Sequence, residues 1–149
     1  ADAVATLEKR PVDDRSASHL PWLVAALGGP RAEALLSRWV MSNELPPLRL
    51  HALRALAHFP ELAVPAAAVA DLLQNEAATP DDAALQLAAL HWFYERSSLP
   101  PGDAAVRLAA SDDSRLRQTA AMLLGRLAPL ALIEEWMQSA DAALCVATR

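Results

Sequence analysis

The sequence predicts an all-α fold built from short antiparallel helical hairpins. Three observations predict it: a composition led by alanine and leucine, prolines spaced at helix-length intervals, and acidic residues placed where helices would begin. Of the 149 positions, 54 % are hydrophobic and 21 % charged, enough apolar surface for a single domain over residues 1–149. Glycine is scarce, at 4, and aromatics are only 5 %. Alanine and leucine lose little side-chain entropy in a helix, whereas strands favour β-branched and aromatic residues.

The helices follow in order. The first is expected over 2–9. A second, over 18–28, stops at Gly28-Gly29 ahead of Pro30. The third covers 31–43. Pro46-Pro47 opens the fourth, over 47–59, and Pro65 the fifth, over 65–75. Proline is tolerated in a first turn and breaks a helix interior. Asp81-Asp82 open the sixth, over 81–97. Asp103 lies at the start of the seventh, over 102–110, and Asp112-Asp113 precede the eighth, over 113–127. Carboxylates there cap free N–H groups and meet the positive end of the helix dipole, so capping is the preferred reading of these acidic pairs over paired catalytic carboxylates. Arg96 and Arg126 sit near helix ends, the complementary arrangement. Two last helices are expected over 130–138 and 140–148. The connections are short, which implies antiparallel neighbours.

A repeat emerges from the helices that carry the longest apolar faces. Leu116, Ala120, Leu123, Leu124 and Leu127 fall on one face, behind Asp112-Asp113 and followed within the segment by Gly125-Arg126-Leu127. Two other segments align with it without gaps: Leu48-Arg49 through Ala52, Leu56 and Phe59, and Leu85-Gln86 through Ala89 and Phe93. This pattern of an acidic cap, an aliphatic-Arg pair, a small residue and a closing Leu-Gly-x-Leu resembles the second helix of HEAT repeats. Residues 85–97 depart most, with Gln86 where arginine is usual and Tyr94 where glycine is usual. The resemblance spans 31–138; residues 1–30 match in periodicity only and read as an irregular N-terminal hairpin. It implies a right-handed α-solenoid of about four to five hairpins, because one hairpin cannot bury its face alone.

In such stacks the second helices line the concave side, which nominates a surface. Arg54, His91 and Met122 share one aligned position. His58, Glu95 and Arg126 share the position four residues on, and Leu50, Leu87 and Gln118 the position four residues back. With Tyr94, which replaces a small residue, Arg54, His58, His91, Glu95, Met122 and Arg126 form a mixed strip suited to a peptide or protein. His91 and Glu95, with His58 in register beside them, would also be weighed as zinc ligands, but no dedicated metal motif is present and a plain surface contact is the preferred reading. Trp22, Trp39, Trp92 and Trp136 lie in apolar-periodic stretches and are expected to pack between helices. His19 and His51 receive no role.

Other classes find little support. The net charge is −5 and the basic residues are scattered, which argues against nucleic acid as a partner. The single cysteine, Cys145, precludes an intrachain disulfide and reads as a buried apolar residue. No apolar run approaches the ~18 residues of a membrane span. No signal peptide is visible, and the expected compartment is the cytoplasm. The sequence opens on Ala1, consistent with a processed chain or part of a longer one. Nucleophile elbows and glycine-rich phosphate loops are absent, so no catalytic residue, metal or cofactor is assigned.

The stretch 140–149 carries only Asp141 and Arg149 as charges and reads as an uncapped last helix. Terminal repeats need a polar outer face, so this end is expected to continue into further repeats or to meet another copy. The leading expectation is a non-enzymatic protein-interaction scaffold. The resemblance also implies alternatives: an enzyme or accessory subunit of the chromophore-lyase or DNA-repair glycosylase type, or a self-associating structural element.

Overall fold

The computed structural model describes residues 3–42 and 45–131, together with Glu134 and Gln138. Every regular element among them is helical: α1 (Ala3–Glu8), α2 (Asp14–Ala17), α3 (Leu20–Leu27), α4 (Gly29–Met41), α5 (Pro46–His58), α6 (Ala66–Asp71), α7 (Pro80–Glu95), α8 (Ala104–Ala109) and α9 (Ser114–Leu127). Of the helix expected over 130–138, residues 130, 131, 134 and 138 are described and are helical. The expected helix over 140–148 and the self-association end at 140–149 lie outside the described residues, as do Trp136 and Cys145.

Local chemistry explains the boundaries. Pro30, Pro46-Pro47 and Pro80 all occupy first-turn positions, where their missing N–H costs nothing. Gly28 ends α3 and begins α4 at once, with φ of 65°, a left-handed conformation that glycine adopts without strain. The helix expected over 18–28 starts at Leu20, after the separate turn α2. The reason is Pro21, which has no N–H to return to the Ala17 carbonyl, so a helix cannot run through from α2. Helix α6 is shorter than the expected 65–75. Leu72, Leu73 and Gln74 bond three residues back, to Val69, Ala70 and Asp71, so the chain tightens out of the α-helix.

Two of the acidic pairs expected at helix starts supply a capping carboxylate, and Asp103 does not. Asp113 accepts from the Arg115 and Leu116 N–H groups, and Asp13 forms a reciprocal capping box with Ser16. Thr79 and Asp82 form the same box at the start of α7. Asp103 precedes α8 but makes no side-chain cap bond.

Packing follows a row. Helix α5 packs on α7, and α7 on α9. Behind them α4 packs on α5, and α8 on α9, while α3 packs against both α4 and α5. The core between these layers is aliphatic, with Leu36, Leu53, Leu56, Leu90, Phe93 and Leu123 fully buried. The three aligned segments behave alike. Leu48, Leu85 and Leu116 are buried; Ala52, Ala89 and Ala120 have no exposed surface at all. Small side chains there let the helices approach closely.

A polar device recurs in the same register. Arg49 Nε donates to the Val40 carbonyl, 2.7 Å away, at the end of α4. Gln86 Nε2 donates to the Asn75 and Leu72 carbonyls after α6, at 2.6 and 3.4 Å. Arg117 Nη1 donates to the Ser111 and Asp112 carbonyls after α8, at 2.6 and 3.4 Å. Each of these aligned residues thus satisfies carbonyls left without a partner where the preceding helix ends. Glutamine at position 86 keeps the bond that arginine makes in the other two segments.

Candidate functional site

The same register that buries the leucines exposes the strip. Arg54 and His58 stand one turn apart on α5, His91 and Glu95 on α7, and Met122 and Arg126 on α9; all six are exposed. Tyr94, expected at the surface, is half-buried. The guanidinium of Arg126 covers it, 4.5 Å from the ring centroid, and Arg126 Nη2 also donates to Ser97 Oγ at 3.4 Å.

The structure divides the strip in two. Arg54, His58, His91 and Glu95 line one cavity of about 690 Å³ between α5 and α7. Ala57, Leu87 and Ala88 form its apolar surface, and Trp22 and Pro60 complete it. Met122, Tyr94 and Arg126 do not line that cavity; Arg126 of α9 meets Tyr94 of α7 instead. Met122 is 54 % exposed.

Aromatic contacts shape one side of the groove. The His58 ring meets Trp22 edge-on at 5.6 Å between centroids and Phe59 at 5.3 Å. His91 lies 6.4 Å from the Tyr94 ring. Among the described residues no three histidine, cysteine, aspartate or glutamate side chains gather closely enough to hold a metal ion. Neither Arg54 nor Glu95 takes part in an ion pair among the described residues.

His51 stands on α5 one turn before Arg54, half-buried and outside the groove lining, with Nδ1 out of contact with water and without a hydrogen-bond partner. Burial, followed by the nearby charges of Arg54 and His19, holds its pKa below the usual 6.5.

Compared with known proteins, the chain matches no family model, no curated protein and no solved structure.

A second cavity, about 740 Å³, opens among Thr79, Gln86, Arg107, Asp113 and Arg115. Several of its polar groups are already committed. Thr79 and Asp113 cap helices, Arg115 lies 3.9 Å from Asp113, and Arg107 donates to the Leu73 carbonyl. The groove between α5 and α7 is the better candidate because its guanidinium, that of Arg54, is still available, whereas Arg107 and Arg115 of the second cavity are engaged.

Sequence reasoning missed Trp22 and Pro60 as groove residues. Trp22 belongs to the N-terminal region that matches the repeat only in periodicity. The one available signal was its setting: α3 is apolar around most of its circumference, so a large half-exposed aromatic there must border some surface. Trp39 and Trp92 are buried between helices, as expected. No helix among the described residues is long and apolar enough to cross a membrane.

Proposed function

We propose that this chain is a non-enzymatic protein-interaction scaffold of the cytoplasm, a HEAT-like α-solenoid that holds a peptide or protein partner across the face of α5, α7 and α9. The observation that carries the reading is the cavity of about 690 Å³ in which Arg54, His58, His91 and Glu95 converge beside Trp22. Recognition grooves combine apolar surface with a few convergent polar groups, and this one has both. The solenoid reading is supported by the aligned burial of Ala52, Ala89 and Ala120 and by the matching bonds of Arg49, Gln86 and Arg117. The polar groups of the face come from equivalent repeat positions. That arrangement follows from stacking and suits an extended partner more than a single reaction centre.

The test is affinity capture with mass spectrometry, comparing the wild-type chain with an Arg54→Glu/Arg126→Glu double variant. A partner retained by the wild type and lost by the variant supports the reading. A partner retained equally by both contradicts the assignment of this face.

A further inference from the structure

Resting on the interaction-surface reading, we propose that the groove between α5 and α7 selects a partner segment bearing an acidic side chain, with Arg54 as its receptor. The other arginines of this region are already engaged. From α4 onward, among the described residues, Arg49, Arg96, Arg107 and Arg117 donate to backbone carbonyls. Arg31 and Arg38 hold Glu8, Arg115 lies against Asp113, and Arg126 covers Tyr94. Arg54 alone in that part of the chain has no such engagement, and it lines the groove. An exposed guanidinium with five donors and no acceptor is suited to a carboxylate, which it can meet with two parallel bonds.

The surroundings narrow the ligand. The chain carries a net charge of −5, yet three of its acidic pairs stand at helix starts: Asp13-Asp14, Asp81-Asp82 and Asp112-Asp113. The groove instead presents Arg54 with His58 and His91 against one carboxylate, Glu95. His91 occupies the aligned position to Arg54 on the next helix, so these two mark the end of the groove that receives the acid. Glu95, one turn further along α7, repels a second negative charge. That combination admits a single carboxylate and disfavours a polyanion such as a nucleic-acid backbone. Trp22 and Leu87 offer apolar surface for a neighbouring side chain of the same segment.

The test uses the full chain on four arrays of immobilised random octapeptides, each with one fixed central residue: Asp, Glu, Gln or Lys. The Asp- and Glu-centred arrays are expected to retain the chain about fivefold more than the Gln-centred one, the upper range for an exposed ion pair. Arg54→Gln should erase that preference. Arg15→Gln, at an exposed arginine on α2 that does not line the groove, should leave it intact. Circular dichroism checks that each variant is folded.

Other results overturn the proposal in distinguishable ways. Equal retention on Asp- and Gln-centred arrays, lost in Trp22→Ala, removes the acidic preference and keeps the groove as a binding surface. Preference for the Lys-centred array assigns selection to Glu95 instead. An acidic preference that survives Arg54→Gln removes Arg54 as the receptor. Retention on no array contradicts both this proposal and the peptide-binding reading beneath it.

Discussion

The guanidinium of Arg96 lies over the indole of Trp92, 4.2 Å from the ring centroid, and from there it reaches the end of a different helix. Its Nη2 donates to the Leu56 carbonyl at 3.1 Å and to the Leu62 carbonyl at 3.0 Å. The Leu56 carbonyl needs this donor. Its helical partner would be the N–H of residue 60, and Pro60 has none. Arg96 therefore joins the C-terminal ends of α5 and α7 on one side of the groove. Burial lowers its pKa from the ordinary arginine value, and a guanidinium is charged throughout the ordinary pH range.

Arg96→Met removes the donors and leaves the Leu56 and Leu62 carbonyls unsatisfied. The expected cost is about 1–3 kcal/mol of stability, the penalty for leaving a buried acceptor unsatisfied. Arg96→Lys retains charge but not the planar fork and should fall between the two. Urea unfolding measures both. An unchanged midpoint in Arg96→Met would show that the bridge contributes nothing net.

Ala89 tests the register of the stack. It has no exposed surface and sits on α7, which packs against both α5 and α9. Ala89→Leu adds three carbons where no space exists, so a loss of about 1–3 kcal/mol is expected, or failure to fold. Ala66→Leu, at an exposed position on α6, makes the same chemical change and should stay within about 0.5 kcal/mol. Thermal or urea unfolding of the pair decides it. Equal tolerance at the two sites would contradict close packing along α5, α7 and α9.

Much of this fold was legible because its signals are local. A proline in a first turn, a capping carboxylate and a left-handed glycine act within a few residues, so Pro46-Pro47, Asp81-Asp82 and Gly28 place helix ends without knowledge of the rest. The exposed strip was legible for the same reason: burial repeats along each segment, so its complement repeats too. What stayed hidden depends on residues distant in sequence. Tyr94 is half-buried because Arg126 of α9 covers it. Trp22 borders the groove because α3 packs beside α5. The availability of Arg54 is visible only once its fellow arginines have found carbonyls, as Arg96 does at Leu56.

His51 gives the fold a pH dependence near neutrality. Its pKa is lowered in the folded chain, by burial first and then by Arg54 and His19. The fold therefore favours neutral imidazole. The stability from that preference is complete above the ordinary value of 6.5 and is lost as pH falls through the lower folded value. Urea midpoints should decline as pH is lowered from about 7.5 to about 5. In His51→Gln, which cannot titrate, the decline over this window should shrink. A slope identical to that of the wild type would remove His51 as its source.

The four histidines supply the most direct test of the binding surface. His58 and His91 line the groove; His19 and His51 do not. The measurement is a carbon–proton correlation spectrum of the imidazole rings, recorded while a captured partner or a retained octapeptide is titrated into the chain. The His58 and His91 resonances are expected to shift together and saturably, while that of His19 remains in place. Binding that moves His19 and leaves both His58 and His91 unmoved would contradict the groove as the binding surface.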